Sequence, residues 1–318
     1  MNNIFYYILN MSLASSFVII AMMLIRLMKL LSKRIVYPLW VLVFFRLVFP
    51  FALSTKWSLF NYTGNLVRRL ITVETVIRST VPLQGLDKWS TMNMIGAAQS
   101  YGPIEYKTES LRSIFSISSI VWAIIAIAAI IAASALYILT ILELKKAILV
   151  KDNIYRSKML LSPVLMGIFR PRIILPEGLD PDSHEGKMVL AHENIHQKRL
   201  DNLWRIFAVT IACVHWFNPL VWLMLKMFFT DMELSCDERV MVEGKFGVEE
   251  RKAYAAALLN FTEDKRLMIS TAFGQSGVKV RIVNVLNYKR LTVFGAVVSA
   301  IFLLVLALVL ITNPGIGG

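Results

Sequence analysis

The chain is poor in cysteine, in histidine and in acid. Two cysteines among 318 residues, Cys213 and Cys236, exclude a disulfide framework. Cys213 sits in an apolar stretch and reads as a small core residue. Cys236 lies among acidic residues, close to any metal they would hold, and is also read as packing. Acidic residues number 21 against 34 basic ones, a formal charge of +13. That excess does not by itself indicate nucleic acid, because cytoplasmic loops of membrane proteins carry the same bias. No direct nucleic-acid contact is expected. Internal repeats and charge-lined apolar runs are missing too, which argues against a transporter.

Apolar side chain is abundant. The chain is 57% hydrophobic with a mean hydropathy of +0.62, more than an ordinary soluble domain carries, and a bilayer is the expected surrounding. Residues 4–25 are uncharged and long enough to span. No basic residue precedes them, while Arg26, Lys29, Lys33 and Arg34 follow; a signal peptide has the opposite polarity. The basic connector therefore goes to the cytoplasm and the N-terminus outside. Residues 35–54 form a second span, with Arg46 facing the bundle interior or snorkelling and Pro50 kinking or ending the helix. Residues 55–112 are an extracellular loop, with Leu66, Leu70, Val73 and Ile77 at helical spacing. Residues 113–142 are a third span. After Lys145, Lys146 and Lys151 come short apolar runs between 154 and 176, punctuated by Pro163, Gly167 and Pro171, which predict a small antiparallel sheet. Residues 291–311 are a last span. Both termini then lie outside, as the charge asymmetry requires.

The chemistry gathers at Ala191-His192-Glu193-Asn194-Ile195-His196. On a helix, His192 and His196 share one face, so two neutral imidazoles can grip one divalent ion. Glu193 sits one residue round, where its carboxylate reaches a water on the metal. Two of the four histidines of the chain make this pair, which weighs against a merely solvated helix face. A catalytic zinc takes three protein ligands and keeps one position open. Downstream, Glu233 and Asp237 are four residues apart in Asp231-Met232-Glu233-Leu234-Ser235-Cys236-Asp237-Glu238. This E-x-x-x-D after H-E-x-x-H resembles the gluzincin metallopeptidases. The resemblance implies Glu233 as third ligand and Asp237 as the group that orients His192. The apolar stretch 203–229 lies between His196 and Glu233, which must meet at one ion. A single crossing would separate them, and Asn218-Pro219 splits the run into halves too short to span. A helical hairpin is predicted there, re-entrant or packed in the catalytic domain.

The ordered set of S-P-V-L-M-G, R-P-R-I-I-L-P, H-E-N-I-H-Q-K-R-L-D, H-W-F-N-P-L-V-W and D-M-E-L-S-C-D-E, with its flanking spans, covers essentially the whole chain. It resembles the membrane metallopeptidase domain of the bacterial Bla/Mec-type beta-lactam sensor-transducers, the antirepressor receptors. The resemblance implies an α-helical integral membrane protein of four transmembrane helices with a cytoplasmic α+β gluzincin-like metallopeptidase domain. The expected domains are 1–54 (spans one and two), 55–112 (external loop), 113–142 (span three), 143–290 (peptidase, with hairpin 203–229) and 291–318 (span four and external tail). Those receptors carry a penicillin-binding domain after the fourth span. The expectation here is the peptidase part without that sensor, in a bacterial cell membrane: either a truncated receptor, or a sensorless relative whose signal comes from the 55–112 loop or a separate sensor partner. The protein substrate implied is the chain itself, a cytosolic transcriptional repressor, or both; a homodimer is left open.

Zn2+ is the cofactor expected from His192, His196 and Glu233. Glu193 is expected to take a proton from water and hand it to the leaving amine. A further oxyanion donor is needed; His215 competes for that role with the reading of a packed histidine beside Trp216. The substrate is expected to lie against an edge of the 154–176 sheet. Self-cleavage is expected between 266 and 290, where Gly274–Gly277 resist regular structure. The rival reading is a membrane receptor or scaffold with a structural metal site, which four protein ligands usually close.

Overall fold

A computed structural model describes residues 1–27, 31–61, 80–83, 85–98, 104–260, 277–288 and 293–314. The protein is mostly helical. Helix α1 (Asn2–Leu27) carries no charge before Arg26. One face is buried through Tyr6, Asn10, Ala14, Val18 and Met22, at helical spacing, while Leu13, Ile20 and Leu24 point outward. Helix α2 (Lys33–Val48) ends earlier than the expected span of 35–54. Phe49 is extended and Pro50 follows, so the chain turns into strand β1 (Phe51–Thr55). Sixteen helical residues rise about 24 Å, less than the roughly 30 Å of a hydrocarbon core. Helix α3 (Glu109–Leu144) is capped by Thr108, whose hydroxyl accepts from the Leu111 amide. By length and composition α1 and α3 can cross a membrane, and α3 has little of its span buried. The last apolar helix, α4 to α8 intervening, is α9 (Val293–Ile311).

Strands β2 (Thr80–Leu83) and β3 (Leu86–Met92) join β1 and β8 (Asn313–Pro314) in a sheet ordered β2-β3-β1-β8. This sheet was not expected from residues 55–112. Leu66, Leu70, Val73 and Ile77 lie outside the described residues. Arg46 is buried at the end of α2, where it donates to Asn313 Oδ1 at 2.6 Å and stands 4.8 Å over the Phe60 ring.

The second sheet consists of β4 (Ile148–Lys151), β5 (Ile154–Ser157), β6 (Val164–Met166) and β7 (Arg172–Pro176) in the order β4-β5-β7-β6. It is mixed rather than antiparallel as expected. β5 and β7 pair in parallel, Ile154 opposite Ile173, because β6 is interposed in sequence and pairs antiparallel on the far side of β7. Apolar alternation reports which face is buried and not which way a neighbour runs.

Helix α4 (His184–Lys198) follows the sheet, then α5 (Asp201–Val214) and α6 (Pro219–Glu243), which form the hairpin. Asn218 caps α6 by accepting from the Leu220 amide, and Pro219 fits its first turn. The Asn218 amide also donates to Ser12 Oγ and Ser16 Oγ of α1, both at 2.9 Å. His215 bonds the Leu47 carbonyl at 3.1 Å, and Trp122 of α3 donates to the Val214 carbonyl at 2.8 Å. The hairpin tip is thus held among α1, α2 and α3. The largest apolar core joins Val18 and Met22 of α1, Trp40 and Phe44 of α2, Ala212 of α5 and Phe228 of α6. Helices α7 (Val248–Asn260) and α8 (Val278–Leu286) complete the domain against α6.

The short connector from α1 to α2 is tied to α6 by charge. Asp231 is fully buried and accepts from Arg26 Nε at 2.9 and 3.0 Å and from Trp40 Nε1 at 3.1 Å, with Lys33 Nζ at 3.5 Å. Glu238 accepts from the Ser32 hydroxyl and from the Lys33 and Arg34 amides, capping α2 from outside its own chain segment. Arg26→Ala leaves Asp231 with a weaker set of partners. It is expected to cost about 3 kcal/mol, the low end for a broken buried pair because Trp40 and Lys33 remain. Lys33→Ala should cost under about 1 kcal/mol. Thermal unfolding of the purified protein in detergent measures both, and equal losses would show that Arg26 is not the principal partner.

Candidate metal centre

Helix α4 starts where its sequence requires. The Ser183 hydroxyl accepts from the Gly186 amide at 2.9 Å, and Glu185 lies in the first turn. Gly186 packs so tightly that a Cβ there would stand 2.0 Å from the Asp180 carbonyl oxygen. Val189 and Leu190 pack on Ile173 and Leu175 of β7, and Ile195 packs with Cys236 and Val240 of α6. With those faces fixed, His192, Glu193 and His196 turn into a cavity of about 390 Å³. Its walls also include Tyr137 of α3, Val164 and Leu165 of β6, and Arg205 of α5.

The structure brings together His192, His196 and Glu233. Nε2 of the two histidines are 3.0 Å apart, and Glu233 Oε2 lies 3.4 Å from the first and 3.6 Å from the second. Ligands at zinc distances in a tetrahedral set stand about 3.3–3.4 Å from one another. The three atoms therefore fit one face of such a set. The other Glu233 oxygen accepts from Arg205 Nη2 at 2.7 Å, so a single oxygen is left for the histidine side. Burial disfavours the Glu233 carboxylate, but the adjoining His196 and His192 rings and Arg281 outweigh it and hold it well below the usual carboxylate range. Cys236 is nearer than packing alone requires. Its Sγ lies within 4.8 Å of the ligating atoms of both histidines, and its thiol donates to the His192 carbonyl at 3.3 Å. His192, His196 and Cys236 are thus also a group able to hold a metal.

Each histidine is held from behind. Asp237 Oδ1 is 3.2 Å from His192 Nδ1 and accepts from Tyr254 Oη at 2.7 Å; that same Oη is 2.9 Å from His192 Nδ1. Asp201 plays the corresponding part for His196, whose Nδ1 donates to its Oδ2 at 2.6 Å. With protons on both Nδ1 atoms, both Nε2 lone pairs face the cavity. Asp201 is itself fully buried, where Arg199 grips it and Tyr37 of α2 donates to it at 3.0 Å. Burial opposes the ionisation of Asp201, and the His196 hydrogen bond followed by Arg199 lowers its pKa nonetheless. For Asp237, burial is outweighed chiefly by Arg281, which keeps the carboxyl strongly acidic. Leu200, in the left-handed region at φ 56°, makes the turn that carries Asp201 back under His196.

Asp201, Tyr254 and Arg281 were not read from the sequence. Asp201 stands five residues after His196, at the end of H-E-N-I-H-Q-K-R-L-D, and an acid just past a metal-binding helix is a usable signal. Tyr254 and Arg281 are 62 and 89 residues from His192 and have no local pattern. His215, considered as an oxyanion donor, is at the far end of α5 from Asp201, some 20 Å along the helix, and does not line the cavity.

A helix pair of imidazoles, each backed by a carboxylate and faced by a third buried carboxylate, on a scaffold of membrane-length helices, defines a membrane protein of the metallohydrolase kind. The comparison with known families gives the particular one. The family described as BlaR1 peptidase M56 matches residues 6–285, and the chain belongs to that family of peptidases. It is 37% identical over 171 residues to the regulatory protein BlaR1 of Bacillus licheniformis. The matched stretch is 51% of this chain and 28% of that protein, so the chain spans well under half the length of this curated relative.

Removing either backing carboxylate, Asp201→Ala or Asp237→Ala, is expected to lower metal affinity about 10–100-fold, as for other groups that orient ligand histidines. Competition with a chelator measures it. Unchanged affinity in both variants would show that these hydrogen bonds do not act on the imidazoles.

Proposed function

We propose that the protein is a zinc endopeptidase of gluzincin type, with His192, His196 and Glu233 as ligands, Glu193 as general base and Asp237 as the group that orients His192. The observation that carries this reading is the triangle of 3.0, 3.4 and 3.6 Å between three ligand atoms, with Glu193 on the same cavity wall. Zinc bound there supplies an activated water and polarises the scissile carbonyl. Glu193 takes the proton of that water and delivers it to the leaving amine. Arg205 keeps one Glu233 oxygen occupied, and Asp201 and Asp237 keep the imidazole tautomers fixed. The substrate lies extended along β6, an edge strand that lines the cavity; Asn202 already holds the Leu165 and Gly167 carbonyls of that edge, both at 3.0 Å.

The substrate class is a cytosolic transcriptional repressor, the chain itself, or both, in keeping with a relative whose name is that of a regulatory protein. The peptidase domain of 143–290 lies at the cytoplasmic face, with four spans and both termini outside; support comes from the basic connector of 26–34 and its ties to α6. Cysteine introduced at position 30 should label from the cytoplasmic side and at position 85 from outside, the two native cysteines being buried. The reverse pattern would remove a cytosolic repressor from consideration.

Cys236 supports one competing reading. Added to His192, His196 and Glu233 it would make four protein ligands, a closed structural site. Glu233→Ala should lose metal and activity, whereas Cys236→Ser should keep both; loss of metal in Cys236→Ser as well favours the closed site. Glu193→Gln should keep its metal and cut nothing. Mass spectrometry of wild type should find a new terminus between about 266 and 290 that is missing from Glu193→Gln. A cut that persists in that variant would mean that another protease makes it.

A further inference from the structure

Peptide hydrolysis leaves negative charge on the carbonyl oxygen, and a preorganised donor beside that oxygen is worth more than almost any other contact. The two obvious neighbours of the ligand triangle are already committed. Tyr254 Oη is behind His192, on its Nδ1 side, and gives its proton to Asp237. Arg205 is turned to Glu233 Oε1, the oxygen directed away from the triangle.

Arg281 is different. It stands on α8, is mostly buried, and lines the cavity. Asp237 fixes its guanidinium from one side, accepting from Nε at 2.9 Å and from Nη2 at 2.6 Å. A two-point grip of this kind sets the plane of the group. The end of the guanidinium then reaches the triangle: Nη2, already bonded to Asp237, is 3.2 Å from His192 Nε2, and Nη1 is 3.6 Å from Glu233 Oε2. Nη1 makes no hydrogen bond among the described residues. The guanidinium thus stands beside two of the three ligand atoms, on the wall of the cavity that a substrate carbonyl would enter.

On the zinc-peptidase reading given above, we infer that Arg281 is the oxyanion donor of the reaction, with its Nη1–H directed at the carbonyl oxygen of the scissile peptide. As water attacks the carbonyl carbon, its proton passes to Glu193 and the carbonyl π pair moves onto the oxygen, where Arg281 donates to it. On collapse the pair returns, the C–N bond breaks, and the amine leaves with the proton from Glu193. Asp237 thereby serves two partners. It orients His192 through Oδ1 and holds Arg281 through both oxygens. A donor pinned by a buried carboxylate needs little reorganisation as charge develops.

The test uses the full-length protein in detergent with cobalt in place of zinc, and the visible band of the metal as readout. Two probes are titrated: an N-phosphoryl dipeptide, which mimics the tetrahedral oxyanion, and acetohydroxamate, which only ligates the metal. Arg281→Lys keeps a positive charge beside Asp237 and guards against loss of folding; Arg281→Met removes the donor. Both should retain the cobalt band and the hydroxamate affinity, while phosphoryl-dipeptide affinity falls about 100-fold in Arg281→Met and less in Arg281→Lys. Turnover of a cleaved peptide should fall by a similar factor in kcat, with KM little changed. Unchanged phosphoryl-dipeptide affinity in Arg281→Met overturns the inference. Equal loss for both probes makes Arg281 a positioning residue for the metal and overturns it as well. A cobalt band that survives His192→Ala would instead sink the metal-site reading on which it rests.

Discussion

A fully buried carboxylate has to be paired, and Asp231 is paired across the fold. Its partners come from the end of α1, from the start of α2 and from Trp40 two turns on. Seven residues later Glu238 meets the same connector. Two helical turns bring Asp231 and Glu238 to one side of α6, and the same periodicity puts Glu233 and Asp237 on the other. One helix therefore presents an acidic pair to the membrane connector and an acidic pair to the histidines. The position of Glu233 relative to α4 depends on where that connector holds α6.

The two halves of the centre are built differently. His196 is secured by a residue five positions away, across a single tight turn. That bond joins α4 to α5 directly, with Tyr37 of α2 as a further donor to Asp201. His192 depends on Asp237, Tyr254 and Arg281, from three further helices. Anything that shifts α7 or α8 touches His192 before it touches His196. Because α8 precedes the last apolar helix, His192 is the histidine placed to register events along that part of the chain.

What could be read in advance was what local spacing encodes. The four-residue interval of His192 and His196, and the Asn218-Pro219 break, both act within a turn or two of helix and required no knowledge of the fold. The third carboxylate came from a resemblance, and the geometry sets it 3.4 and 3.6 Å from the imidazoles. The direction of β5 against β7 was not legible, since alternation is the same for either direction. Nor was the end of α2 at Val48, because Phe49, Phe51 and Leu53 are as apolar as the helix they follow, although all three are exposed. Arg281 was not legible either, because it lies 89 residues from His192 and no local spacing joins the two.

The pairing of Arg46 with Asn313 bears on how the protein is made. A guanidinium enclosed at the end of α2 finds this hydrogen-bond partner 267 residues further along the chain. The same late segment closes the sheet, Ser54 against Asn313 and Thr55 against Pro314. In order of synthesis Arg46 precedes this partner, so until residues 313 and 314 are made the cation lacks that hydrogen bond and the sheet lacks its fourth strand, and the early part of the fold waits on the late one.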